Sequence, residues 1–200
     1  VIEGDERRTR KRAADRIDEL LDAADAQLNA TRSAMLSMRA VGDAAGASRA
    51  LVYAYFPDQY RLLDAVLARH LDWLREAGIE AAVANGSLQE RCLAAADIYL
   101  AHIAEHGMAL EVALREVAVA RQLSGAASAF RARLYHRVAA LVARELRMGP
   151  NEALTLVQLL IVIPGDAGRL VHEGGLTLEE GRELTSRLVT SSLDALRPMR

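Results

Sequence analysis

The sequence predicts an all-helical fold on three observations. Alanine, leucine and arginine dominate while only four prolines occur in 200 residues; no stretch alternates apolar and polar residues long enough to make a half-buried strand; and apolar residues recur three and four apart between helix caps. Caps and breakers divide the chain into about nine helices, short at first and long later. They group as an N-terminal helix-turn-helix module over 1–66 and a larger helical domain over 67–200, a length sufficient for a sizeable core.

From 12 to 28, Ile17, Leu20, Leu21, Ala24 and Leu28 form one apolar stripe, preceded by the basic arm Arg7, Arg8, Arg10, Lys11 and Arg12. Ser37 caps a short helix to about Ala45, Gly46 stops it, and Ser48 caps the next. Asp58 then caps a long helix over 58–84, with Leu62, Leu63, Val66, Leu67, Leu71 and Leu74 inward and Asn85 and Gly86 at its end. Ser87 and Glu90 have capping-box spacing and open a helix that stops near Gly107. Helices follow over 108–123 and 126–147, separated by the breaker at 124–128. A helix over 152–173 contains Pro164 and Gly165, which predict a kink because proline lacks the backbone donor. Gly174 and Gly175 end it, and Thr177 to Glu180 cap a last helix to about Leu196.

The formal net charge is -2, from 25 basic and 27 acidic residues, so no global basic field points to nucleic acid. Residues 1–56 carry nine basic and nine acidic side chains, and only the arm at 7–12 concentrates positive charge. The arm is placed to follow a phosphate backbone or enter a minor groove. The single cysteine, Cys92, cannot form an internal disulfide, which fits a reducing cytoplasm. The longest apolar run, at 154–164, reads as too short to span a bilayer, and the charged N-terminus does not read as a secretory signal. A cytoplasmic location and no membrane partner are therefore expected.

Residues 48–56 meet both demands of a recognition helix. Each helical residue turns by about 100°, so Tyr53 and Tyr55 cannot share a face. Val52, Tyr55 and Phe56 fall together and should pack against Leu20, Ala24, Val41 and Leu63; Ser48, Arg49, Ala50 and Tyr53 fall on the other side. There a small residue at Ala50 allows close approach to base edges, Arg49 can reach a phosphate or guanine, and the Tyr53 hydroxyl can donate to a phosphate oxygen.

The stretch SMRAVGDAAGASRALVYAYFPDQYRLLDAVL, at 37–67, resembles the DNA-binding signature of the tetracycline-repressor (TetR) family of bacterial transcription regulators. Alanine-glycine-x-serine, an apolar residue, tyrosine-x-tyrosine-phenylalanine and a leucine pair stand in register. The resemblance implies that Ser37 and Arg39 contact the DNA backbone or a base edge, that Ser48, Arg49, Ala50, Tyr53 and Ala54 line the recognition helix, and that Tyr55 and Phe56 pack it. It also implies a homodimer through the last two long helices. Four positions depart from the pattern: Arg32 replaces a loop glycine, Leu36 a threonine, Ala40 an aspartate, and Gln59 a lysine that frequently contacts phosphate.

Residues 102–106 match H-x-x-E-H, with His102 and His106 one turn apart, but a third zinc ligand is unspecified because a helix break precedes Glu111 and Glu116. No glycine-flanked nucleophile or phosphate-cradling loop occurs, so no catalytic residue, metal or cofactor is expected. The later helices can enclose an effector cavity, with Tyr99, His102, His106, Glu111, Arg115 and Gln158 as polar lining and Trp73 or Met108 as apolar wall. The apolar surplus at 154–163, Leu170 and Val171, with Leu184, Leu188, Leu193 and Leu196, suggests a helix pair buried against a second copy.

These readings describe a repressor released from a near-palindromic double-stranded operator by a small-molecule effector. The substitutions at Leu36, Ala40 and Gln59 motivate the alternative, a ligand-binding or scaffold protein whose helix-turn-helix no longer binds DNA. A metal-dependent hydrolase would rest on residues 102–106 alone.

Overall fold

The computed structural model describes residues 2–197 and, among them, only helices and their connections. In chain order these are α1 (Ile2–Thr31), α2 (Met38–Ala44), α3 (Arg49–Tyr55), α4 (Gln59–Glu76), α5 (Ile79–Ala82), α6 (Leu88–His106), α7 (Ala109–Arg115), α8 (Val117–Ala120), α9 (Ala126–Leu146), α10 (Pro150–Leu160), α11 (Val162–His172) and α12 (Leu178–Ala195). The first helix starts ahead of residue 12, so the backbone of the basic arm is helical; the arm's side chains lie outside the described residues.

Three of the expected helices are each divided in two. The 58–84 helix breaks between α4 and α5, where Gly78 takes a left-handed φ of 85° that glycine alone adopts without cost. The 108–123 helix breaks at Glu116, whose backbone is extended and whose carboxylate accepts the Ala34 amide at 2.8 Å. The 152–173 helix breaks at Ile161, ahead of the expected kink, because Pro164 has no N–H for the Leu160 carbonyl one turn back.

The chain forms two compact units, one of residues 1–69 with 108–126, the other of 70–107 with 127–200. Segment 108–126, which the sequence reading places in the 67–200 domain, therefore sits in the first unit. Polar anchors between residues remote in sequence tie it there: the Met108 amide donates to Asn29 Oδ1 at 2.7 Å, and the Ser124 amide to Asp64 at 3.0 Å. Such pairings leave no periodic trace in a sequence.

Leu20, Leu28, Val41, Val52, Leu63 and Val66 are among the fully buried side chains of the first unit. Arg69 ties α4 to α1, its Nη1 donating to Asp22 at 2.7 Å and its Nη2 to Asp25 at 2.5 Å. The Asp25 arm is the more enclosed, at 15% side-chain exposure for Arg69 and 13% for Asp25, against 74% for Asp22.

In the second unit α6, α11 and α12 pack on one another. Gly168 permits the crossing: a Cβ there would lie 2.7 Å from the Leu100 carbonyl oxygen and 2.8 Å from Ile103 Cβ. A further core joins Leu88 of α6, Val138 and Val142 of α9, Val157 of α10, and Val189 and Leu193 of α12. Leu193 thus belongs to the chain's own core, not to the free apolar face expected of it. Cys92 packs against this core, and burial pushes its thiol up to about 11, far from a reactive thiolate at neutral pH.

Replacing Arg69 with alanine removes the enclosed ion pair to Asp25 and should lower stability by about 3 kcal/mol in urea unfolding. Asp22→Asn, on the exposed arm, should cost less than about 1 kcal/mol.

Candidate nucleic-acid interface

The site is built from the turn outward. Ser37 has extended backbone and its hydroxyl accepts the Ala40 amide at 3.3 Å, which starts α2. Leu36 and Val41 stand at the two positions of a hydrophobic staple and are both buried. Leu36 therefore serves packing.

After α2 the chain turns through residues 45–48, and the Ala47 amide donates to the Gly42 carbonyl at 2.8 Å. This brings α3 so close that a Cβ on Gly42 would lie 3.0 Å from the Ala47 carbonyl oxygen and 3.1 Å from Val52 Cγ2. Ser48 then caps α3 by accepting the Leu51 amide at 3.2 Å.

Val52 and Phe56 are buried and Tyr55 is half-buried, while the outer side of α3 is open to solvent. Ser48, Arg49, Ala50, Tyr53 and Ala54 are all exposed there, Tyr53 at 40%. The Arg49 guanidinium carbon lies 5.4 Å from the Tyr53 ring centroid, a cation–π distance that holds cation and phenol side by side.

Beside this face is a groove of about 470 Å³ whose lining includes Ser37, Arg39, Arg49, Tyr53, Gln59 and Tyr60. It gathers residues from three helices and offers two guanidiniums, two phenols, an amide and a hydroxyl, a donor set suited to phosphate oxygens. Arg39 also lies 3.7 Å from Asp43, both of them largely exposed. Tyr60 was not among the residues singled out from the sequence; the only signal for it was an aromatic in the first turn of a helix.

The effector candidates are distributed over both units. Met108, Glu111 and Arg115 lie in the first, where the last two form a 3.5 Å ion pair. In the second unit Trp73, His102 and His106 meet around His70. The His70 Nδ1 to His102 Nε2 distance is 2.9 Å, and Trp73 stacks on His106 with centroids 3.9 Å apart and planes 11° apart. His70 is fully buried, and nothing near it in sequence announced a partner 32 residues away. Tyr99 is buried on α6 and Gln158 exposed on α10. Within H-x-x-E-H, Glu105 is exposed while His102 faces His70, and among the described residues no group of three or more His, Cys, Asp and Glu could hold a metal ion.

Helices α10 to α12 expose large apolar side chains, Leu159 at 64%, Val162 at 44%, Leu184 at 43% and Leu188 at 52% among them. Pro150–His172 is long and apolar enough by composition to cross a membrane, which the shorter run at 154–164 did not suggest; the break at Ile161 interrupts it.

Residues 20–66 match the family described as bacterial regulatory proteins, tetR family. No curated protein matches the sequence. Among solved structures, a TetR-like transcriptional regulator from Rhodococcus sp. RHA1 is similar at 20% identity and a TM-score of 0.69, covering 90% of this chain and 96% of that one. A tetR-family regulator from Streptomyces coelicolor is 25% identical at a TM-score of 0.56, with 92% and 80% covered. A regulatory protein in the tetR family from Rhodococcus RHA1 is 18% identical at a TM-score of 0.59, with 92% and 98% covered. Arg32 adopts the left-handed conformation, with φ 52° and its amide bonded to the Leu28 carbonyl at 2.9 Å.

Gly42→Ala should destabilise the first unit by about 1–3 kcal/mol, since the obstructing atoms include backbone. Thermal unfolding of the variant measures it.

Proposed function

We propose that this chain, a TetR-like transcription regulator by its match over residues 20–66, is a repressor that binds a near-palindromic operator as a two-fold dimer and is released by a small molecule. The observation that carries the reading is the free face of α3. Arg49 and Tyr53 stand there beside Ser37, which caps α2, and Arg39 of α2, while Val52 and Phe56 are buried in packing. Ala50 and Ala54 are small enough to let the helix approach base edges, so Arg49 can reach a guanine edge or a phosphate. Two such helices related by a dyad would enter successive major grooves about 34–36 Å apart.

The exposed leucines and valine of α10 to α12 support self-association, because covering them against a second copy removes a large apolar face from water. The cluster of Trp73, His70, His102 and His106 supports an effector-responsive second unit. An effector would act by binding one conformation better than the other.

The scaffold reading draws on Gln59, which supplies no cation to the groove. Selection of bound duplexes from random DNA at a fixed salt concentration separates the two. A near-palindrome should be enriched, and Arg49→Ala and Tyr53→Ala should each weaken its binding about tenfold or more; no enrichment by a folded protein favours the scaffold. Leu188→Arg should convert the dimer to monomer in sedimentation and weaken operator binding with it. A monomeric parent protein would overturn the proposed assembly.

A further inference from the structure

Resting on the DNA-binding reading, we propose that Asp58 sets the affinity of the recognition face by holding a fixed negative charge in the phosphate groove. Asp58 lines the same groove as Arg39 and Arg49. Its position is constrained: Oδ1 accepts the Tyr60 amide at 2.8 Å and the Arg61 amide at 2.9 Å. Swinging the carboxylate away would leave two first-turn donors of α4 unsatisfied.

Those two amides are the groups a helix start would otherwise offer to a phosphate, and here an internal anion occupies them. Residue 59, next in the chain, is the uncharged Gln59, so the start of α4 brings an anion into the groove and no lysine beside it. A phosphate entering beside Arg39 and Arg49 therefore meets repulsion along with attraction. Because phosphates repeat on every duplex, Asp58 lowers affinity for all sequences alike and leaves base preference to α3.

Asp58→Asn is the test, because asparagine keeps the capping oxygen and removes the charge. The full chain is titrated by fluorescence anisotropy into a labelled random-sequence duplex and into the duplex enriched by selection, at about 50 and about 200 mM salt. D58N should bind both duplexes about threefold to tenfold tighter, with an unchanged ratio between them and a smaller gain at the higher salt. Asp58→Ser, which also retains a capping oxygen, should do the same should D58N melt early. Glu80→Gln removes an exposed charge from α5 in the second unit and should change neither affinity.

Wild-type affinity in folded D58N and D58S, or a gain confined to one duplex, overturns the role of Asp58 while leaving DNA binding standing. Failure of the wild-type protein to bind either duplex at the lower salt removes the DNA-binding reading and this one together.

Discussion

The exposed face of α3 depends on one close approach, that of Gly42 to the Ala47 carbonyl and the Val52 side chain. Because position 42 has no Cβ, α3 can lie against α2 with Val52 fully buried. Burying Val52 fixes the rotation of a seven-residue helix, too short to be stable alone. That rotation sends Arg49 and Tyr53 outward. The Ser37 and Ser48 caps settle where the two helices begin, but packing at Gly42 settles which way they face.

The second unit repeats the principle with a different result. Gly168 lets α11 lie against α6, and Val189 and Leu193 of α12 go into the unit's own core. Leu184 and Leu188 are left on another side of α12, with Leu159 and Val162 exposed on α10 and α11. A leucine repeat is thus divided between an internal core and a free surface by helix rotation alone.

Electrostatics in the groove beside α3 come from placement, since residues 1–56 balance nine cations against nine anions. Arg39 and Arg49 reach the groove, while Asp58 is drawn in by the backbone donors it caps. One carboxylate therefore does two jobs: it starts α4, and it brings a negative charge next to the groove's arginines. The cap requirement explains why an anion can persist on a face suited to phosphates.

Much of this protein was legible in its sequence because helices announce themselves locally. Caps at Ser37, Ser48, Ser87 and Thr177, the spacing of Val52 to Phe56, and the opposite facing of Tyr53 all follow from rules spanning four or five residues. Tertiary structure alone decided the rest. Glu116 breaks a helix to reach Ala34, Met108 and Ser124 tie their segment to the first unit, His70 meets His102, and Leu193 turns inward while Leu188 does not. The physical reason is common to these cases: each depends on a partner distant in sequence, and local periodicity records which residues share a face but not what that face meets.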